Sequence, residues 1–130
     1  MTNTTNLLYS KEHEWVLQLD GNRVRIGITD YAQKQLGDIV FVENPQVDDK
    51  VTAGESMGTI ESVKAVSEIF APISGTIVQI NEELDDAPET INESPLSKGW
   101  LVEVEMSSPE ELKALLNEDS YQALINEGGE

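Results

Sequence analysis

A lysine at the tip of a predicted hairpin is the residue whose setting most favours chemistry. Lys64 lies between two stretches, residues 57–60 and 66–70, that carry apolar side chains at alternate positions. That period of two is typical of strands, so residues 62–65 between them predict a tight turn. The nearest acid on the N-terminal side is Glu61, three positions earlier. A lysine on a turn is ordinarily a solvated surface charge, so a chemical role needs support from the rest of the sequence.

The other residues with chemical potential predict weaker sites. His13 lies between Glu12 and Glu14, but neighbours on a predicted strand face opposite sides, so these side chains do not predict a metal site. The sequence has no Gly-Lys-Ser/Thr of a phosphate loop, and it has no cysteine for thiol catalysis or disulfides. An enzyme that uses His13 and Glu14 stays open as an alternative.

The charge balance narrows the classes of partner. The 130 residues include 25 acidic and 8 basic side chains, for a net charge of -17. Repulsion of this strength argues against a nucleic acid or an anionic membrane and favours basic proteins. Most of the excess negative charge lies after Asn81. The composition therefore predicts a protein that works with other proteins.

The length of the chain and its terminal residues lead to predictions of the domain organisation and the cellular compartment. A chain of this size is suited to a single domain, predicted to span residues 1–130. Residues 1–6 are polar and lack a signal-peptide core, and no apolar run approaches the roughly 20 residues of a membrane span. We therefore expect a cytoplasmic protein of a prokaryote, monomeric when free.

Most of the chain has the pattern of short strands that would position the hairpin. Alternating apolar residues and turn signals predict strands at residues 7–9, 10–19, 23–28, 38–42, 74–81 and 100–105. Thr29 predicts the cap of a short helix that Gly37 ends. Residues 38–42 are apolar on both faces, which predicts a central strand. Residues 82–99 contain prolines and acids and predict an exposed excursion with at most one helical turn.

Two further patterns concern the arrangement of the core and its cover. Aligning Gly37 with Gly75 superimposes two similar apolar stretches, which indicates a weak internal duplication within a hairpin core at about residues 38–80. Ser108-Pro109-Glu110-Glu111 predicts a helix start. The resulting C-terminal helical cover, about residues 108–127, would point Tyr121, Leu124 and Ile125 inward and end at Gly128.

Several segments together resemble one known family. They are residues 9–15 (Tyr-Ser-Lys-Glu-His-Glu-Trp), 27–33 (Gly-Ile-Thr-Asp-Tyr-Ala-Gln), 36–43, 61–65 (Glu-Ser-Val-Lys-Ala), 71–75 and 99–100, and in this order they resemble the glycine cleavage H-protein family. The lysine motif alone is shared with other lipoyl domains, whereas the first two segments are more specific. Biotin carriers usually flank their lysine with methionines, and Val63 and Ala65 stand here instead. The sequence departs from the family pattern at Asp48-Asp49, where glycine is common, and at Leu96, where tyrosine is common.

The resemblance implies a fold and a function. The fold is mainly β, a lipoyl/biotinyl-carrier-type sandwich of two small antiparallel sheets with pseudo-twofold symmetry, one short N-terminal helix and C-terminal helices. The function is a carrier with lipoate attached to Lys64. The implied partners are the pyridoxal-phosphate-dependent glycine decarboxylase, the tetrahydrofolate-dependent aminomethyltransferase, dihydrolipoyl dehydrogenase and lipoylating enzymes. Such a chain shuttles an aminomethyl group and electrons between these partners and has no catalytic activity of its own.

The resemblance also implies roles for three glutamates. Glu14 matches the family motif and is a candidate to pair with the amine of a loaded arm in a cleft on the carrier. Glu68 is a second candidate for that cleft, and Glu61 matches a position used in recognition by lipoylating enzymes. Two alternatives to the glycine cleavage carrier stay open. They are a lipoyl relay donor to 2-oxoacid dehydrogenases and an unmodified protein-binding module.

Overall fold

A computed structural model describes residues 7–127 of the chain. The expectations for residues 1–6 and for a helix end at Gly128 lie outside the described residues. The described strands are β1 (Leu7–Tyr9), β2 (Glu14–Gln18), β3 (Arg23–Ile28), β4 (Ile39–Glu43), β5 (Lys50–Val51), β6 (Ser56–Ser62), β7 (Val66–Phe70), β8 (Gly75–Ile80) and β9 (Val102–Met106). The helices are α1 (Asp30–Leu36), α2 (Glu83–Asp86), α3 (Thr90–Glu93), a 3-10 helix (Pro109–Ala114) and α4 (Glu118–Glu127).

The strands form two antiparallel sheets that enclose the core. One sheet has six strands in the order β1-β2-β3-β9-β8-β5, and the other has three in the order β4-β6-β7. Ile26 and Val104 of the larger sheet and Ile60 and Ile69 of the smaller one are buried in one apolar cluster. The predicted mainly β fold of two antiparallel sheets is therefore confirmed, with sheets of unequal size. Among residues 7–127, no helix has the length and apolar character needed to cross a membrane.

The prediction that residues 38–42 form a central strand is wrong. Strand β4 pairs only with β6 and is an edge of the smaller sheet, whose central strand is β6. The register shifts between Ile39 and Phe41, and both Val40 and Phe41 are exposed. A β-bulge inserts an extra residue and so breaks the alternation of faces. An apolar run on both faces therefore did not imply burial on both faces.

The aligned stretches around Gly37 and Gly75 have a shared structural feature. Strand β4 has its bulge between Ile39 and Phe41, and β8 has one between Ile77 and Gln79, which are the aligned positions. The two strands lie in different sheets, β4 at an edge and β8 inside. This agreement supports the interpretation of two related units, while the pseudo-twofold axis stays a prediction.

Residues 82–99 are more ordered and better anchored than the sequence predicted. They form the two single-turn helices α2 and α3, which bury Leu84 and Ile91 in the main core. The side-chain amide of Asn81 donates to the carbonyls of Lys98 and Trp100 and closes the excursion at its base. The prolines and acids correctly indicated turns, but one buried aliphatic residue in each helix holds the segment against the sheets.

The C-terminal cover differs from the prediction at its start. Residues 109–114 form a 3-10 helix, and the Ser108 side chain makes no capping hydrogen bond. Leu116 then exchanges backbone hydrogen bonds of 2.7 and 2.8 Å with Tyr9, which joins this segment to β1 before α4 begins. Tyr121 is buried on α4, and Leu124 and Ile125 are partly buried beside it. The inward face of α4 thus agrees with the predicted spacing.

The departures from the family pattern are accommodated by the fold. Asp48 has a φ of 80°, the left-handed conformation that aspartate tolerates better than most residues. Leu96 is partly buried and packs against the aromatic cluster that contains Trp15. Both residues lie outside the strands of the two sheets.

Gly27 on β3 pairs with Trp15 on β2 and leaves no room for a side chain beside the indole ring, which leads to a stability prediction. Trp15 is fully buried, and its indole N–H donates to the Pro95 carbonyl at 2.9 Å. A methyl group on Gly27 would lie 2.5 to 2.7 Å from atoms of the indole ring. We expect Gly27→Ala to lower the free energy of unfolding by about 2 kcal/mol, because a fully buried ring cannot move aside. Urea denaturation measures this change.

The matched control for that substitution is Gly21→Ala. Gly21 has a φ of +62° and no atom within 4 Å of an added methyl group, so alanine there meets strain of the backbone alone. We expect a cost of about 1 kcal/mol for the control. If Gly27→Ala costs no more than Gly21→Ala, the packing of Trp15 does not require glycine at position 27.

Candidate functional site

The hairpin tip that carries Lys64 is built by hydrogen bonds to Ser62. The Ser62 N–H donates to the Ala65 carbonyl at 2.8 Å, and the Ser62 hydroxyl oxygen accepts from the N–H groups of Lys64 and Ala65 at 3.3 and 3.1 Å. The Val63 N–H donates to the Asp38 carbonyl at 3.0 Å, which attaches the tip to the chain after α1. The lysine side chain is exposed. The turn is therefore fixed while its amine is free to react.

Ser62 shapes the turn that carries Lys64, and the sequence reasoning did not single it out. A serine hydroxyl that bonds the backbone two and three residues later is a local turn motif. The available signal was a serine two positions before a lysine in a predicted turn. That signal is weak because serines are common in turns of every kind.

Lys64 has no charged partner among residues 7–127. The ion pairs in this part of the chain join Arg23 and Arg25 to Glu103, and Lys34 to Asp30. Glu61 makes none with Lys64. It lies instead on β6, opposite Phe41 on one side and Val66 on the other. Glu61 therefore belongs to a row across the small sheet and forms no ion pair with the lysine.

The lysine stem passes the end of α1, a helix that also lines a cavity. A methyl group on Gly37 would lie 3.7 Å from Cε of Lys64, so the lysine stem runs past the end of α1. Leu36, the residue before Gly37, is part of the wall of a cavity of about 280 Å³. The other aliphatic residues of that wall are Ile28, Ala32, Ile60 and Ile69. Its polar lining includes Glu12, His13, Glu14, Ser67 and Glu68.

Glu14 is a buried carboxylate at this cavity. It is 2% exposed, accepts from the Ser10 hydroxyl at 2.5 Å and accepts from the Phe70 N–H at 3.1 Å. Burial raises the pKa of the Glu14 carboxyl to about 7, and the two hydrogen bonds offset that shift only in part. Glu14 can therefore hold or release a proton near neutral pH.

The structure brings two of the three predicted glutamates to one site. Glu68 is exposed on β7 and lines the same cavity as Glu14. Glu61 is not part of that lining and lies near the hairpin tip. The three glutamates thus divide into a pair at the cavity and a single residue on the outer sheet face near the tip.

The reasoning from strand geometry about His13 is wrong. His13 has a φ of 71° and lies in the turn before β2. Its Nδ1 is 2.8 Å from the Tyr121 hydroxyl, which is also 2.7 Å from the Thr29 hydroxyl. Burial lowers the pKa of His13, and the charge of Glu12 opposes that shift. The sequence could not predict the contact with Tyr121, because the two residues are 108 positions apart.

The surroundings of His13 also bear on metal binding. Within the described part of the chain, no group of three histidine or acidic side chains is arranged to hold a metal ion. The His13 ring packs against Tyr31 and Tyr121, with centroids 4.8 and 5.6 Å apart. These contacts make His13 part of the wall between α1, α4 and the cavity.

The fold and the site define a class of protein. Two antiparallel sheets that present an exposed lysine on a fixed hairpin turn are the architecture of lipoyl-type carrier domains. The family model described as glycine cleavage H-protein matches residues 7–128. The chain therefore belongs to the glycine cleavage H-protein family, which is a family of lipoyl carriers.

Individual relatives agree with the family model over nearly the whole chain. A glycine cleavage system H protein of Staphylococcus haemolyticus is 56% identical over 123 residues, 95% of this chain and 97% of the relative. One from Geobacillus thermodenitrificans is 55% identical over 128 residues, 98% of this chain and 100% of the relative. The crystal structure of a glycine cleavage system H protein from Mycobacterium marinum has a TM-score of 0.85 at 38% identity, and the match covers 94% of this chain and 98% of that chain.

Proposed function

We propose that lipoate is attached to Lys64 as an amide and that the chain is the carrier of the glycine cleavage system. The observation that carries this proposal is the exposed Lys64 side chain on a fixed turn. The proposed partners are glycine decarboxylase with pyridoxal phosphate, the tetrahydrofolate-dependent aminomethyltransferase, dihydrolipoyl dehydrogenase and the enzymes that attach lipoate. When bound, the lipoyl group supplies a dithiolane that takes up an aminomethyl group and two electrons.

The residues around Lys64 fit this group. The lysine stem passes Gly37 at the end of α1, and a lipoylated lysine would extend about 14 Å by bond-length counting. The cavity lined by Leu36 of α1 is aliphatic on one wall, which suits a hydrocarbon chain. Acidic residues at the same cavity, including Glu14 and Glu68, suit a cationic amine. Both ends of a loaded arm would therefore find matching surroundings.

Glu14 has the main role among the side chains of this cavity. Burial favours the neutral form of the Glu14 carboxyl. A cationic amine beside it would stabilise the carboxylate and lower its pKa. Ser10 and the Phe70 N–H fix the carboxyl group for such an ion pair. Glu68 is exposed and would add a weaker, screened attraction.

The net charge supports a carrier that visits several enzymes. A charge of -17 draws basic protein surfaces toward the chain and increases their association rates. On this proposal the chain supplies an attachment point and a protective cavity, while the partners supply the catalytic groups. The proposal includes a bacterial cytoplasmic location and a free monomer.

Intact-mass measurement tests the attachment. The purified chain is incubated with an ATP-dependent lipoate ligase, ATP and lipoate, and its mass is measured before and after. We expect one lipoyl increment, which peptide mapping assigns to the peptide containing Lys64. No increment would overturn the proposal and favour an unmodified protein-binding module. Glycine turnover by the isolated chain would contradict its assignment as a carrier without catalytic activity.

A second assay separates the two carrier functions. The lipoylated chain is supplied with glycine decarboxylase, aminomethyltransferase, tetrahydrofolate and dihydrolipoyl dehydrogenase. We expect glycine-dependent reduction of NAD. A lipoylated chain that is inactive here but donates its lipoyl group to apo 2-oxoacid dehydrogenase domains would be a relay donor instead.

A further inference from the structure

Two cavities adjoin a small group of aromatic rings. The first, of about 280 Å³, contains Glu14 and is the cavity described above, and we call it the Glu14 cavity. The second, of about 370 Å³, is lined by Tyr9 and by residues of α1 and α4, and we call it the tyrosine cavity. Tyr31 lines both cavities, whereas His13 lines the first and Tyr121 the second. The contact between His13 and Tyr121 therefore lies between the two cavities.

The rings of this group pack directly against one another. The centroid of the His13 ring is 4.8 Å from that of Tyr31 and 5.6 Å from that of Tyr121, and the second contact is edge-on. Tyr121 in turn stacks on Tyr9 at a centroid distance of 4.5 Å, with 6° between the ring planes. Because Tyr121 is 2% exposed, close packing holds its ring in place. A fixed ring of α4 thus supports the His13 ring from the side of the tyrosine cavity.

A chain of hydrogen bonds orients the His13 ring. Oγ1 of Thr29 accepts from the Ala32 N–H as the cap of α1, so its hydroxyl proton is available for the Tyr121 hydroxyl oxygen at 2.7 Å. The Tyr121 hydroxyl can then donate to Nδ1 of His13 at 2.8 Å. This order requires a neutral histidine that is protonated on Nε2, and burial favours the neutral form of His13. Tyr121 thus connects the cap of α1 to the histidine side chain.

The backbone of the turn that contains His13 is held by other hydrogen bonds. The Thr29 N–H donates to the His13 carbonyl at 3.0 Å, and the His13 N–H donates to the Ser10 carbonyl at 3.1 Å. The Ser10 hydroxyl also donates to the Glu14 carboxyl. Loss of the Tyr121 hydroxyl would therefore release the His13 ring while the turn and the buried carboxyl stay in place.

We propose that Tyr121 is a positioning residue that holds the His13 ring as a partition between the Glu14 cavity and the tyrosine cavity. The tyrosine cavity is open to solvent, because Lys34 and Gln122 in its lining are exposed. A fixed His13 ring therefore limits the entry of water from that side. By this contact, α4 influences the Glu14 cavity through a side chain that lies outside it.

The inference rests on the proposed function, in which an aminomethyl-loaded arm enters the Glu14 cavity. Hydrolysis of that arm consumes one water, breaks the C–S and C–N bonds of the aminomethyl group, and releases a thiol, formaldehyde and ammonia. Exclusion of water slows this reaction and also strengthens the attraction between the amine and the Glu14 carboxylate. A loaded arm behind an intact partition should therefore survive longer.

Release of formaldehyde from the loaded carrier tests the partition. The chain is lipoylated, loaded by glycine decarboxylase and glycine, separated from the enzyme and incubated in buffer. Tyr121→Phe keeps the stacked ring and removes only the hydroxyl. We expect this variant to release formaldehyde about fivefold faster than the wild type, because loss of one hydrogen bond increases the population of a displaced His13 ring by about that factor.

The matched control is Tyr9→Phe. Tyr9 stacks on the same ring, and its hydroxyl donates to Glu118 of α4 at 2.6 Å, so this variant also removes one tyrosine hydrogen bond that attaches α4. It leaves the bonds from Tyr121 to His13 and Thr29 intact, and we expect formaldehyde release at the wild-type rate. Equal acceleration in the two variants would mean that any loosening of α4 is sufficient, and it would overturn the role assigned to Tyr121.

His13→Asn tests the partition from the Glu14 cavity. His13 has a φ of 71°, a backbone conformation that asparagine adopts more readily than most residues, so the turn should persist. Because asparagine has no ring, we expect formaldehyde release at least as fast as from Tyr121→Phe. A wild-type rate for His13→Asn would show that the histidine ring is not a barrier to water.

Titration of His13 gives a measurement that needs no lipoate. His13 is the only histidine of the chain, so its imidazole C–H resonances report its pKa by NMR without ambiguity. Tyr121→Phe removes a hydrogen bond to the neutral imidazole, so we expect a higher pKa for His13 in this variant and the wild-type pKa in Tyr9→Phe. The other titratable side chains that line the Glu14 cavity are the same in all three proteins: Glu12, Glu14, Tyr31 and Glu68.

Failure of the partition differs from failure of the proposed function. If the wild-type chain takes up no lipoate, the proposed function is wrong and this inference fails with it. If the wild-type chain loads normally and Tyr121→Phe releases formaldehyde at the wild-type rate, the partition alone is overturned. An unchanged pKa of His13 in Tyr121→Phe would also overturn it, because Tyr121 would then not act through the histidine ring.

Discussion

Lys64→Arg is expected to abolish lipoylation and to reduce glycine-dependent NAD reduction in the reconstituted system to the rate without carrier. Arginine keeps the positive charge and the length of the side chain, but its guanidinium is not deprotonated in proteins and does not serve as an acyl acceptor. The turn itself should persist, because its hydrogen bonds come from Ser62 and the backbone. Intact mass after treatment with ligase, ATP and lipoate gives the first measurement, and NAD reduction gives the second.

The control for this substitution is Lys50→Arg on β5. Lys50 is also an exposed lysine, but it lies on the larger sheet and pairs with Thr76 of β8. We expect the Lys50 variant to gain one lipoyl increment and full carrier activity. An increment on the Lys64 variant would mean that another lysine is the acceptor, and the assignment of the site would then be wrong.

Local sequence signals were sufficient for the elements that depend on short-range contacts. Thr29 caps α1 through the Ala32 N–H, and Gly37 ends that helix with a φ of 79°. The hairpin that carries Lys64 follows from two alternating runs with a short turn between them. In each case the residues that determine the structure are within a few positions of each other, so a linear pattern can reveal them.

The features that could not be predicted from the sequence depend on contacts between residues that are far apart along the chain. The bulge in β4 arises from its register with β6, and it exposes Val40 and Phe41 in a stretch that resembles a buried strand. The 3-10 helix at residues 109–114 has the sequence of an α-helical start, but the Glu111 side chain accepts hydrogen bonds from the backbone and hydroxyl of Ser74. Tertiary contacts therefore overrode local propensity in both segments.

The candidate site also combines residues that the sequence could indicate with an arrangement that only tertiary contacts determine. The family resemblance indicated Lys64 and Glu61 as single residues and offered Glu14 and Glu68 as candidates for one cleft, and both glutamates line the same cavity. It did not show that Glu61 would lie between Phe41 and Val66. That separation assigns different chemistry to the three carboxylates, because Glu14 alone among them is buried, and burial raises its pKa.

Glu14→Gln is expected to remove a specific pH dependence of stability. The pKa of Glu14 is about 7 in the folded chain, above the ordinary value of 4.5, because the carboxyl is buried. Between these values the folded state holds a proton that the unfolded state has lost, so the unfolding free energy falls as pH rises. From about pH 5.5 to about pH 8, the wild type should lose about 2 kcal/mol more than the glutamine variant, which has no proton to release. Urea denaturation at several pH values measures the difference.

Comparison with a second variant isolates the effect of burial. Glu68→Gln changes an exposed carboxylate at the same cavity, so both variants lose one negative charge from the same region. General repulsion in a chain of net charge -17 also weakens stability at high pH, and the two variants share that contribution. We expect Glu68→Gln to retain the wild-type slope. If the unfolding free energies of Glu14→Gln and Glu68→Gln have the same slope against pH, Glu14 ionises as an ordinary surface carboxylate. That result would exclude a Glu14 that is neutral before a cationic amine binds beside it.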